Sequence, residues 1–164
     1  MQRVVILGRG ASGKSTLARA LGAITNLPVL ELDKFFWQPG LLPTSQESWS
    51  AIQEELAARE QWIMDGDLGP YDAFEPRLRR ADTVILLDFS LIRCAWQAIK
   101  RSGERADFWR WLIAYRRTYL PLLRQAITQH SPAAEVLIFH DPSGLERFIG
   151  GIKQKGQTRT RRCS

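Results

Sequence analysis

The sequence predicts a single α/β domain: a parallel, doubly wound sheet of five strands with helices on both faces. Three observations carry this. Five short runs rich in Val, Ile and Leu recur along the chain, helical patterns separate them, and three of the runs carry an aspartate at their carboxyl ends, Asp33, Asp65 and Asp88. Strands buried on both faces read as continuous apolar runs, and ligands of such sheets bind at the carboxyl ends of the strands.

The elements follow in order. VVILG at 4–8 is the first strand, β-branched and closed by glycine. Leu17, Ala20, Leu21 and Ile24 then recur at helical spacing. PVLELD at 28–33 gives the second strand, and FFWQPGLLPT after it reads as a loop, broken by two prolines and a glycine. Trp49, Ile52 and Leu56 share one face of a helix expected over 46–59. QWIMDG at 61–66, DTVILLD at 82–88 and EVLIFH at 135–140 supply the other three strands. Between the last two, 90–100 reads as a helix and 108–129 as a long one that Pro121 either kinks or divides. Pro142, Ser143 and Gly144 turn into a last helix that should close near Ile149. Trp96, Trp109 and Trp111 are expected in the core.

Composition limits what can surround this sheet. With 164 residues, 45% of them hydrophobic, the chain suits one domain over 1–152 and has no room for a second substrate domain. No run approaches the roughly 18 apolar residues of a membrane span and no secretory leader is present, so a cytoplasmic protein without a membrane partner is expected, as a monomer or homodimer. Cys94 and Cys163 have neither disulfide-framework nor zinc spacing. His130 and His140 have no evident partner in the sequence. The net charge of +6 is concentrated in KQKGQTRTRRCS, 153–164, which lacks apolar periodicity and is expected to be a disordered tail. It reads either as a solvated end or as an electrostatic arm for nucleic acid.

The stretch GRGASGKST, 8–16, carries the chemistry, and it fits two patterns. As Gly8-x-Gly10-x-x-Gly13, with Asp33 about twenty residues on, it matches a dinucleotide fingerprint. As Gly8-x-x-x-x-Gly13-Lys14-Ser15 it is a phosphate loop. Lys14 and Ser15 decide between them, because a dinucleotide fold needs no ammonium there. A triphosphate needs a positive charge at its terminal phosphates and a hydroxyl on magnesium. The expected nucleotide-binding residues are therefore Gly8, Gly10, Ala11, Ser12, Gly13, Lys14, Ser15 and Thr16, with ATP and Mg2+ as cofactors.

Phosphoryl transfer also needs groups that orient the attacking hydroxyl, and Asp33 and Asp65 suit this at adjacent strand ends. Each has a simpler reading: Asp33 as a helix cap, Asp65 as half of an Asp-Gly turn. Asp88 admits either the site or a cap on the next helix. Phe35, Phe36 and Trp37 are either an acceptor wall or core.

Beyond the loop, LDKFFWQPG, WIMDGD, RRADTVILLDFS and the Lys100-Arg101 helix end resemble the small adenylate-kinase-related P-loop proteins often labelled DNA topology modulation proteins, over about residues 1–150. The resemblance implies the nucleoside-monophosphate-kinase fold with strand order 2-3-1-4-5, and an arginine-bearing lid at about 101–108. It implies a phosphate lysine at Lys14, a magnesium ligand set including Ser15 and Asp65, and an acceptor or metal-water contact at Asp33. Where that family has asparagine and tyrosine after Asp-Gly, this chain has Asp67 and Leu68. The lid places Arg101 and Arg105 as candidate catalytic residues, with Arg117 one helix further on, to stabilise charge on the transferring group. Arg77 is either the match to a family arginine or only a surface charge. Asp141 to Gly144 lies where related kinases touch adenine. The function this implies is transfer of a phosphoryl group from ATP to a nucleotide, nucleoside or small-metabolite acceptor. The competing class is a regulatory ATPase that contacts nucleic acid through the basic tail.

Overall fold

The computed structural model describes residues 1–40, 42–68, 72–101 and 106–161; the side chains of 101, 106–107 and 155–161 lie outside it. Strand β1 (Arg3–Gly8) leads through the glycine-rich loop into α1 (Lys14–Thr25). Strand β2 (Val29–Glu31) follows, then a one-turn helix α2 (Asp33–Phe36) and a small antiparallel hairpin, β3 (Trp37–Gln38) and β4 (Leu42–Pro43). Helix α3 (Gln46–Ala57) is capped by Ser45, whose hydroxyl oxygen accepts from the Ser48 amide. Strand β5 (Trp62–Asp65), helix α4 (Glu75–Arg80) and strand β6 (Thr83–Leu87) complete the central unit. Helices α5 (Leu91–Arg101) and α6 (Ala106–His130), strand β7 (Glu135–Phe139) and helix α7 (Pro142–Arg161) close it.

The large sheet runs β2-β5-β1-β6-β7 and is parallel throughout. Counting only its five strands in chain order, this is the expected 2-3-1-4-5. Strand β1 lies at the centre, pairing Arg3 with Trp62 on one side and Val4 with Thr83 on the other. Successive side chains of β1 point to opposite faces. Val5 and Leu7 pack with Trp49, Leu78, Tyr115 and Leu123 on one side, while Val4 and Ile6 pack with Leu17, Leu21, Cys94 and Leu112 on the other. Two layers of helix on one sheet give two cores, and every residue from Val4 to Leu7 is fully buried.

Several expectations change. Pro121 neither ends nor divides α6, which runs through it; Pro121 and Arg117, four residues earlier, are both exposed, so the helix meets its missing hydrogen bond on the solvent side. The last helix does not stop near Ile149. Leu145, Phe148, Ile149 and Ile152 of α7 pack against the α1 side of the sheet, and the backbone helix then continues to Arg161, through most of the segment expected to be disordered. Trp96 is not in the core but 60% exposed on α5, with Ile92 and Ile99 on the same outward face and Lys100 Nζ 5.3 Å from its ring. The loop expected after β2 contains α2 and the hairpin. No helix among the described residues is long and apolar enough to cross a membrane.

Candidate active site

The phosphate loop is shaped by backbone positions that side chains disfavour. Gly8 has φ 146°, and a β-carbon there would lie 2.6 Å from the Leu87 carbonyl oxygen, so glycine lets β1 and β6 meet at the loop's mouth. Gly13 has φ 93° and starts α1. Ala11 also takes a left-handed conformation, φ 56°. Gly10, the place that the phosphate-loop pattern leaves free, is constrained here by packing: a β-carbon would come within 2.5 Å of Trp111 and 2.6 Å of Phe108.

Within this loop the Ser12 amide donates to the Arg9 carbonyl at 3.2 Å. Lys14 folds back over the loop, its Nζ donating to the carbonyl oxygens of Gly8 at 2.7 Å and Arg9 at 3.2 Å. That holds an ammonium in the concavity at the amino end of a twelve-residue helix, where backbone amides and the helix dipole already favour anions.

Two carboxylates face this ammonium. Asp65, the last residue of β5, is 5% exposed and its Oδ1 is buried without a hydrogen-bond partner. Burial raises its carboxyl above the ordinary carboxylate range, against the opposing pull of a hydrogen bond with the Ser15 side chain and of Lys14. Asp33, the first residue of α2, stays exposed at the rim, and partial desolvation raises it too, with Lys14 lowering it and Asp65, Asp72 and Glu31 raising it. The structure thus brings Lys14, Ser15, Asp65 and Asp33 to one place. A hydroxyl beside a carboxylate with a free buried oxygen is a hard-oxygen donor set suited to Mg2+, which takes one or two protein ligands and keeps its waters and substrate phosphates.

The raised Asp65 carboxyl gives a signed prediction. The native protein holds this proton more tightly than the unfolded chain, so its contribution to stability is present below the ordinary carboxylate value and is lost as pH rises through the folded value. Asp65→Asn is expected to gain more in melting temperature over the native sequence at pH 7 than at pH 4. Equal gains at both pH values would show that burial does not strain this carboxylate.

The other candidates separate. Arg117 is exposed on α6 and makes no described contact with the loop. Arg101 ends α5, with its side chain outside the described residues, and Arg105 lies outside them altogether with the rest of 102–105, half of the expected lid at 101–108. Asp88 does not cap α5; the Ser90 hydroxyl accepts from the Arg93 amide instead, at 3.4 Å. The Asp88 side chain is 3% exposed, with Arg124 and His140 each 3.5 Å away, so His140 does have a partner. Asp141 caps α7, accepting from the Gly144 amide at 2.9 Å. Asp33 is no cap, since α2 has no side-chain cap bond. Phe36 is core, edge-on to Trp49 with centroids 5.2 Å apart, whereas Phe35 and Trp37 are about two-fifths exposed.

Two arginines depart from what the residues suggested. Arg77 is not a surface charge: its side chain and that of Asp72 are both 0% exposed. Arg77 binds Asp72 through two parallel bonds of 2.8 and 2.7 Å, and also Gln53 Oε1 at 2.5 Å and the Gly66 carbonyl at 3.3 Å. Asp72 in turn accepts from the Leu68 amide at 3.1 Å. This network fixes the segment that follows Asp65. Arg9 had no sequence signal at all, yet it is 2% exposed beneath the loop.

No family model matches the sequence, and no curated protein matches it. Solved structures do. A shikimate kinase from Acinetobacter baumannii in complex with shikimate is 14% identical, with TM-score 0.61, covering 98% of this chain and 92% of its own. A shikimate kinase from Bacteroides thetaiotaomicron is 18% identical with TM-score 0.58, covering 98% of both chains. A gluconokinase from Sinorhizobium meliloti 1021 is 17% identical with TM-score 0.54, covering 99% of this chain and 98% of its own. These likenesses carry the architecture and not the narrower resemblance to DNA topology modulation proteins. With a five-stranded parallel sheet in 2-3-1-4-5 order and a glycine-rich loop at the end of its central strand, the chain has the fold of the small P-loop kinases.

Proposed function

We propose that the protein is a phosphotransferase that moves the γ-phosphate of magnesium ATP to a hydroxyl of a nucleotide, nucleoside or small metabolite. The observation that carries this reading is the meeting of Lys14, Ser15 and Asp65 at the mouth of the phosphate loop, with Asp65 Oδ1 buried and unsatisfied.

In this reading the loop amides and Lys14 hold the β- and γ-phosphates, Lys14 leaving the Gly8 and Arg9 carbonyls to do so. Ser15 and Asp65 would hold Mg2+, which when bound would neutralise phosphate charge. Asp33 and Asp65 orient the acceptor hydroxyl, whose oxygen forms a bond to the γ-phosphorus as the bond to the β-bridging oxygen breaks and ADP departs. Asp33, which is not assigned to the metal, accepts the hydroxyl proton, and raised basicity suits it to that task. Arg101 and Arg105 would close over the phosphates from the lid.

The test is ADP formation from magnesium ATP with and without a pool of nucleoside monophosphates, nucleosides and small hydroxylated metabolites. Acceleration by the pool is the expected result, and dividing the pool then identifies the acceptor. Slow turnover indifferent to the pool would replace this reading with a regulatory ATPase, whose contact with nucleic acid should then weaken on removal of residues 153–164.

A further inference from the structure

Among the described residues Arg9 is a buried cation without the partners that such a group requires. It is 2% exposed, and its Nε and Nη1 are buried with no hydrogen-bond partner. No ion pair to it occurs among the described residues. The one described contact of its side chain is with Tyr115, the guanidinium carbon lying over the ring 5.4 Å from its centroid. Arg77, equally buried, makes four hydrogen bonds. An aromatic face attracts a cation, but it does not satisfy N–H groups that point outward in the guanidinium plane. A charge kept out of water persists when acceptor oxygens meet it, and among the described residues Arg9 has none.

Its place says which oxygens are missing. Arg9 directly follows Gly8, whose carbonyl takes the Lys14 ammonium. The Tyr115 hydroxyl beneath it reaches Asp67 Oδ2 at 3.4 Å, two residues past Asp65. The guanidinium therefore lies by the phosphate loop, over a ring whose hydroxyl meets the segment that follows β5. Lys14 and the loop amides already serve a donor's phosphates. On the acceptor side stand Asp33 and Asp65, which would repel any acceptor that itself bears negative charge unless a cation met it.

Resting on the kinase reading above, we propose that Arg9 receives an anionic oxygen group of the acceptor, a carboxylate or a phosphate, so that the substrate class is a hydroxylated anion. Guanidinium binds either group through paired hydrogen bonds, and Tyr115 holds its plane in place.

The test uses the full chain and its Arg9→Met and Arg9→Lys variants, each saturated with magnesium and a non-hydrolysable ATP analogue. Gluconate, shikimate, adenosine 5′-monophosphate and inorganic phosphate are titrated as anionic probes, with glucose and adenosine as uncharged counterparts, by calorimetry and thermal melting. The expected result is that an anionic probe binds the native sequence at least tenfold more tightly than its uncharged counterpart. Arg9→Met should lose that preference, Arg9→Lys should keep part of it, and the analogue's affinity should stay within about twofold in all three proteins.

Methionine is also expected to leave the melting temperature unchanged or raise it, because it replaces an unpaired buried charge with an apolar chain of similar length. A lowered melting temperature with unchanged anion binding assigns Arg9 to packing and overturns the proposal. So does a tenfold loss of analogue affinity in Arg9→Met, which assigns the cation to the donor's terminal phosphate. Anionic probes that bind no better than uncharged ones, or that do not distinguish the native sequence from Arg9→Met, overturn it as well. Failure of the native protein to bind the analogue at all removes the kinase reading and this inference together.

Discussion

Replacing Lys14 with alanine is expected to cut ATP turnover by at least about 100-fold, the scale on which single charge-stabilising groups at phosphoryl or acyl transfer sites act. The structural part of the change is small by comparison. Lys14 donates two hydrogen bonds, both to loop carbonyls, so its removal costs on the order of 1 kcal/mol for each. The fully buried run from Val4 to Leu7 that anchors the loop is untouched. Far-ultraviolet circular dichroism should therefore be unchanged and the melting temperature only slightly lower, while ADP release falls to background. A second consequence separates this from general damage: Lys14 lowers the proton affinity of both Asp33 and Asp65, so the variant's two carboxyls should titrate at still higher pH. Turnover retained in a folded Lys14→Ala protein would remove the phosphate-loop assignment.

The largest expected stability effect lies in the pair Arg77 and Asp72. Both side chains are fully buried, so Arg77→Ala leaves the Asp72 carboxylate without a countercharge and Gln53 Oε1 and the Gly66 carbonyl without a donor. Breaking one half of such a pair costs about 3–5 kcal/mol, against a total of about 5–15 kcal/mol for a domain. For a chain of this size the melting temperature should fall by roughly 6–20 °C. The double variant Arg77→Met with Asp72→Leu should recover much of the loss, because replacing both charges with apolar groups of similar volume is often neutral. Denaturant titration of the three proteins checks this, and a single variant within about 1 kcal/mol of the native sequence would mean that the pair is not a structural clamp. The double variant has a further use: it frees the Gly66 carbonyl and the Leu68 amide, so it reports what the fixed segment after Asp65 contributes to acceptor binding.

The same residues explain what was legible beforehand. The strands β1, β5 and β6 are short, apolar, bounded by glycine or aspartate and almost wholly buried, so their positions could be read from local composition, whereas β7 is an edge strand with Val136 and Ile138 exposed. Gly8, Gly13, Lys14 and Ser15 occur at fixed spacing for a physical reason, and so the loop was legible too. The Arg77 network was not, because Gln53, Asp72 and the Gly66 carbonyl meet only through the packing of α3 on α4, and no spacing within one element encodes it. Arg9 stands at a free position of the loop pattern and becomes notable only through its burial beside Tyr115.

Trp96 misled for a related reason. Ile92, Trp96 and Ile99 recur at helical spacing, and that pattern is the same whether the stripe faces the core or solvent. Beyond Ile152 the α7 sequence carries no apolar periodicity, yet a helix already docked through Phe148, Ile149 and Ile152 extends at one backbone hydrogen bond per added residue, without a second nucleation.

The central position of β1 has a kinetic corollary. Both of its neighbours come much later in the sequence: Arg3 waits for Trp62, Val4 for Thr83, and Gly8 for Leu87. Closing loops of that length precedes any reward from strand pairing, which makes such parallel sheets slow to form. The glycine-rich loop at the end of β1 thus acquires its shape only after much later segments have been made. Until β6 has been made, that apolar strand and its glycine-rich turn lack one of the two neighbours that bury them, which leaves an unpaired strand edge open to association with other chains.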